Sequence, residues 1–130
     1  MAGNFEDYIN YRVSKSDEAF KDAELLAENQ RWNTCENRLY YAAFYLVSAL
    51  LYKQKIKAHT HNGTKTMFFS NFIKTNKINK EFGKMYSTLF DWRQQGDYAD
   101  FIDFDENTVR PILNDVAQFN KKLKQILFES

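Results

Sequence analysis

The chain has little of what usually punctuates or cross-links a protein: one proline, four glycines and one cysteine in 130 residues. A lone Cys35 excludes an internal disulfide and a cysteine zinc site, which points to a reducing compartment, with the cytoplasm as the expected location. In that setting the sequon Asn62-Gly63-Thr64 is expected to carry no sugar. Long apolar runs are also missing. The longest, Leu39 to Tyr52, is broken by Ser48 and is too short to span a bilayer, and no basic N-terminal stretch leads into an apolar one. The expectation is a protein neither secreted nor membrane-inserted. Scarce glycine and proline leave the chain little punctuation, and apolar residues recur at helical spacing almost throughout.

What is abundant is aromatic. Twelve Phe, eight Tyr and two Trp make up 17% of the residues, beside 44% hydrophobic and 27% charged. That suffices for one packed core, and the length fits a single domain over residues 1–130. So many tyrosines imply rings with a buried body and a hydroxyl that must meet water or a partner. Net charge is only +1, yet it is segregated. From Lys53 to Lys84 there are eight lysines and one acid, Glu81; from Asp91 to Glu106 there are six acids and one base, Arg93. The basic stretch suits phosphates or an acidic partner as well as it suits solvated loops.

The apolar spacing predicts five helices. The first covers about Phe5 to Glu28, with Ala19, Ala23 and Leu26 inward. The second, about Asn33 to Gln54, carries two adjacent apolar stripes, Leu39-Ala43-Leu46-Leu50 and Tyr40-Phe44-Val47-Leu51, and so belongs at the centre of a bundle. Its third stripe, Arg38, Tyr41, Tyr45, Ser48 and Tyr52, is polar and aromatic, a face suited to a ligand or partner. A short third helix capped by Thr60 or Asn62 holds Met67, Phe68, Phe72 and Ile73. Asn79 caps a fourth, with Phe82, Tyr86, Leu89 and Arg93 on its stripe and Gly96 just past its end. A fifth shows Val109, Leu113, Val116, Phe119, Leu123 and Ile126. Pro111 belongs in a first turn, placing the cap near Thr108 unless the helix starts earlier.

Arg93 is the position that invites chemistry, because it puts a guanidinium on a stripe that otherwise packs inward. Asp97 four residues on, with Tyr98 beside it, supplies an anion and a phenol at the same helix end, which reads either as a salt bridge fastening a loop or as a ligand site. His59 and His61, beside Lys65, stand at the start of a helix whose N–H groups favour anions. They fit capping or packing, or a phosphate or general-base role; no third ligand for a metal lies near in sequence. The acids Asp97, Asp100, Asp103, Asp105 and Glu106 lack the central Gly and distal Glu of a calcium loop and read as a solvated acidic loop. No phosphate-binding glycine loop, nucleophile elbow or paired carboxylates in an apolar setting are present.

The run Asn37-Arg38-Leu39-Tyr40-Tyr41-Ala42-Ala43-Phe44, then Thr60-His61-Asn62-Gly63, then Arg93-Gln94-Gln95-Gly96-Asp97-Tyr98, resembles the HEPN family, in its branch of small stand-alone bacterial proteins. The resemblance covers nearly the whole chain. It implies an antiparallel bundle of four or five helices, related to the helical domain of nucleotidyltransferases, that forms a homodimer. Many such proteins pair with a small nucleotidyltransferase as toxin and antitoxin, and others are metal-independent endoribonucleases that use an Arg followed, after a short spacer, by a His. Arg93 matches the first element. The window after it holds Tyr98, Ala99 and Asp100 and no His. With reference pKa values near 10 and 4, Tyr and Asp do not replace a neutral imidazole at pH 7 without a large shift.

The resulting expectation is a dimeric module that binds a nucleotide, RNA or a partner nucleotidyltransferase in a toxin–antitoxin or defence pair. The ligand-binding candidates are Arg93, Asp97, Tyr98, Arg38, Tyr41, Asn37, His61 and Lys65, with no metal and no cofactor. The alternative is an endoribonuclease toxin using Arg93 with His61 or Tyr98.

Overall fold

Helical periodicity becomes helices throughout: the computed structural model describes residues 2–98 and 103–129, with side chains over residues 4–95 and 103–129, and contains no strand among them. The first helix, α1 (Ala2–Glu28), starts earlier than its apolar stripe suggests and turns Ile9, Ser16, Ala19, Ala23 and Ala27 inward, while Leu26 is half-buried. Three alanines on one stripe let its neighbour come close. The chain reverses at Gln30, which takes a left-handed φ of 58°, and Arg31 N–H closes the turn on the Leu26 carbonyl at 2.9 Å.

The second helix, α2 (Trp32–Lys53), runs back along α1 and is covered on several sides, as its double stripe predicts. Leu39, Tyr40, Ala43, Leu46, Val47 and Leu50 have no exposure at all. The polar-aromatic stripe of Arg38, Tyr41, Tyr45, Ser48 and Tyr52 lies half-buried to exposed, as expected of it.

Thr60 wins the choice of cap for α3 (His61–Phe68): its hydroxyl accepts the Gly63 N–H at 2.8 Å. This helix runs on into a π-helical turn, Phe69–Ile73, closed by Lys74 N–H on the Phe69 carbonyl at 2.9 Å. The wider turn lets Phe68, Phe72 and Ile73 all point inward. Met67, expected among them, is exposed instead, because it lies about 100° around the helix from Phe68, off the Thr64–Phe68 stripe that faces the core.

Asn79 caps α4 (Lys80–Tyr98) as predicted, accepting the Glu81 N–H at 2.9 Å. Its inward stripe of Tyr86 and Leu89 reaches the surface at half-buried Arg93. Gly96 does not end the helix, which continues to Tyr98; a helical glycine there costs only about 1 kcal/mol, too little to stop it. The cap of α5 (Glu106–Leu127) is likewise not Thr108 but Asp105, whose carboxylate accepts the Thr108 N–H at 2.9 Å. Pro111 therefore sits in the second turn, where the Asn107 carbonyl it leaves without an N–H is on an exposed residue and meets water. Burial of α5 falls on Val109, Val116, Phe119, Asn120, Leu123 and Leu127, with Leu113 and Ile126 half-buried.

The bundle is tied through α2. Ser16 on α1 donates to the Ala42 carbonyl at 2.6 Å, and Asn120 on α5 donates to Ser16 at 3.2 Å, so three helices meet at one buried polar knot. No helix among the described residues is long and apolar enough to cross a membrane.

Candidate functional site

Between α2, α3 and α4 the core becomes aromatic and polar at once. Tyr40 has no exposure, yet its hydroxyl lies 2.7 Å from Nδ1 of His61 at the start of α3. His61 is half-buried, stacked on Phe44 at 4.3 Å and edge-on to Tyr41 at 5.9 Å. The ring is thus held on three sides by α2. Whichever tautomer it adopts, Nδ1 is engaged by the phenol. Tyr40 can serve either tautomer because it stays neutral: burial pushes its phenol up to about 12, outweighing the Arg93 guanidinium, which pulls the other way. Behind it Tyr86 is fully buried, its phenol also pushed well up by desolvation. The Tyr86 hydroxyl lies near enough to that of Tyr40 to polarise it without the geometry of a full hydrogen bond.

Arg93 approaches the same rings from α4. Its guanidinium stands 5.6 Å from the Tyr40 ring and 5.9 Å from the Tyr41 ring, and Nε donates to the Tyr41 hydroxyl at 3.3 Å. Arg38 reaches Tyr41 as well, at 5.0 Å, and also donates to the Asn37 side chain at 3.3 Å. Two guanidinium groups converging on one half-buried tyrosine concentrate positive charge, a setting that favours an anion with several acceptor oxygens. Lys65 lies one turn after His61 on α3, over Phe90 at 4.6 Å. Arg93, Arg38, Asn37, Tyr41 and His61, dispersed in sequence, are therefore gathered around Tyr40 and Tyr41, with Lys65 at their edge.

The remaining sequence candidates fall elsewhere. The side chains of Asp97 and Tyr98 lie outside those described, as does Asp100, so the salt-bridge reading of Arg93 with Asp97 is not addressed by the described geometry. His59 is exposed and lines a separate cleft. The acidic run has structural partners: Asp103 accepts from Asn33 at 3.2 Å, Asp105 caps α5, and Glu106 pairs with Arg110 at 2.8 Å. No group of three or more metal-binding side chains occurs among the described residues.

Two residues matter more than their spacing suggested. Tyr40 looked like a core aromatic, and its signal was chemical: a hydroxyl on an inward stripe needs a partner. Glu36, one turn before Tyr40, is only 4% exposed, with Oε1 unpartnered, and desolvation raises its carboxyl from 4.5 to about 7. An acid in the first turns of an amphipathic helix ordinarily reads as exposed, so sequence gave no sign of it.

Comparison with known proteins agrees with this architecture. A UPF0332 protein of Thermotoga maritima is 36% identical over 122 residues, 94% of this chain and 92% of that protein. Two proteins of Methanocaldococcus jannaschii, each named "Putative toxin", are 29% identical over 115 residues (88% of this chain, 78% of theirs) and 24% identical over 126 residues (97% and 93%). The model of the HEPN domain matches residues 9–126, from the first buried residue of α1 to the last turn of α5, and the chain belongs to the HEPN family.

Proposed function

We propose that the chain acts as one domain over residues 1–130, a toxin-type HEPN module that works as a homodimer and binds the phosphate of an RNA or nucleotide at Arg93 and Arg38, with a nucleotidyltransferase as its natural partner. The observation that carries this is the convergence of both guanidinium groups on Tyr41, with the imidazole of His61 held beside them by Tyr40. The toxin names of the two archaeal relatives, and the family itself, support it. Asn37 and Lys65 complete the proposed rim, Asp97 and Tyr98 are proposed as further ligand-binding residues, and no metal or cofactor is invoked.

A second reading has one specific observation in its favour. Arg93 and His61 share Tyr40 and Tyr41 as neighbours, so the imidazole missing after Arg93 in sequence is offered from α3 instead. In an endoribonuclease of this kind, Arg93 holds the phosphate and the imidazole of His61 takes the proton of the ribose hydroxyl.

One experiment separates the two. The chain is expressed alone, growth and RNA integrity are followed, and the purified protein is titrated with labelled single-stranded RNA in chelator. Binding is expected to fall about tenfold or more in Arg93→Ala, the loss of a charge-assisted phosphate contact. Cleavage that is present in wild type and absent in His61→Ala establishes the nuclease; binding without cleavage leaves the first reading. Wild-type affinity retained in Arg93→Ala would sink both.

A further inference from the structure

The rings that surround Arg93 continue along α2. Tyr41 is 6.0 Å from Tyr45, and the guanidinium of Arg12, on α1, lies 5.6 Å from Tyr45 and 5.1 Å from Tyr8. Its Nε donates to the Tyr8 hydroxyl at 3.0 Å. Tyr8 is 4.1 Å from Tyr52, which stacks on Phe5 at 5.1 Å. Ring therefore follows ring, with a cation interposed, over the roughly 16 Å of helix that separates Tyr41 from Tyr52. Each member is half-buried or exposed, so the row reaches the surface along its length.

The row ends in a cleft of about 530 Å³ between the start of α1 and the end of α2. Phe5, Tyr8 and Tyr52 give it an aromatic wall, and Lys55, Lys57 and His59 stand on its rim; among the described residues no carboxylate lines it. The rim is placed by the fold. Lys55 takes a left-handed φ of 60°, its N–H bonded to the Tyr52 carbonyl at 3.0 Å, and Ile56 N–H bonds Leu51 O at 2.9 Å. Burial then alternates, with Ile56 and Ala58 packed on the core and Lys57 and His59 exposed, so these two side chains share the outer side.

An aromatic wall under a rim of cations matches a base joined to a phosphate. A mononucleotide would need one such place. A row of rings with interposed cations fits a strand, since every base has a π-face and the backbone charge repeats. We propose that a single strand of RNA bound at Arg93 follows this row and seats a nucleotide in the cleft, its base on Tyr52 and its phosphate at Lys55 and Lys57. The inference rests on the RNA-binding reading above and adds the path and the second subsite.

The test uses the whole chain, fluorescence anisotropy, a dinucleotide and a longer single-stranded RNA. Wild type is expected to prefer the longer strand, and that preference to shrink about tenfold in Tyr52→Ala while surviving in Tyr52→Phe, which keeps the stacking face. The double change Lys55→Ala with Lys57→Ala, two exposed positions off the core, is expected to lower both the preference and the salt dependence of binding. If Arg93→Ala weakens RNA binding while Tyr52→Ala and the lysine pair behave as wild type, the second subsite is wrong and the Arg93 site stands. No binding by wild type removes both. Loss of the dimer in Tyr52→Ala with unchanged RNA affinity assigns the row to a second copy of the chain and also overturns the inference.

Discussion

The two sides of α2 are built differently. Toward α1 it presents Cys35, Ala42 and Ala49, all without exposure, against Ala19, Ala23 and Ala27. Small residues face small residues, and the polar atoms are mostly engaged: Ser16 and Asn120 share the Ala42 carbonyl, and the Cys35 thiol points at the Ala23 carbonyl, with only Asn120 Oδ1 left over. Toward α3 and α4 the same helix presents Tyr40 and Phe44 to an imidazole, a second buried tyrosine and a guanidinium. The Tyr86 phenol behind Tyr40 is left unpartnered inside the protein, as is one carboxyl oxygen of Glu36 near the start of α2, each a cost of order 1–3 kcal/mol. A fold selected for stability alone would replace them by apolar groups.

Three substitutions test the difference between the two sides of α2, and Leu123→Ala has the largest expected effect. Leu123→Ala removes a fully buried side chain of α5 and is expected to lower unfolding free energy by about 3 kcal/mol in urea, with RNA affinity retained where the variant is folded. A matching loss of affinity at temperatures where it remains folded would erase the division between the two sides. Glu36→Gln is expected to act through pH. The folded carboxyl titrates near 7 and the unfolded one near 4.5, so the native state binds more protons between those values and stability falls as pH rises through that window, then levels off. The loss is of order 3 kcal/mol in wild type and should vanish in the glutamine variant; melting curves from pH 4 to 8 decide. Smallest in stability is Tyr40→Phe, about 1 kcal/mol, because one hydroxyl leaves and His61 Nδ1 can turn to water. Binding or cleavage should nevertheless drop severalfold, and an unchanged value would mean that the imidazole needs no orientation from α2.

Much of this was legible in residues. The double stripe of α2, the Asn79 cap and the emergence of Arg93 at the end of an inward stripe all follow from helical spacing, which is local and repeats. Other features depend on who meets whom. Tyr40 becomes the partner of His61 only when α3 folds over α2, and Glu36 becomes buried only when the bundle closes around the start of that helix. The turns were hidden for another reason: the left-handed positions are Gln30, Lys55 and Asn76, not glycines, so the usual mark of a helix end is missing. At α5 the proline pointed to a cap near Thr108, and Asp105, read as part of a solvated acidic loop, caps the helix three residues earlier.

Cys35 carries a practical consequence. Its thiol has no exposure, and burial first, then the neighbouring Glu36 carboxylate, pushes it up to about 11, so in the closed bundle it is neither reachable nor nucleophilic. As the sole thiol of the chain it can be alkylated only after α1 lifts from α2. The protein thus contains its own clock for that motion: the rate at which a thiol reagent consumes it, compared with the rate for the unfolded chain, reports the free energy of opening without any label being introduced.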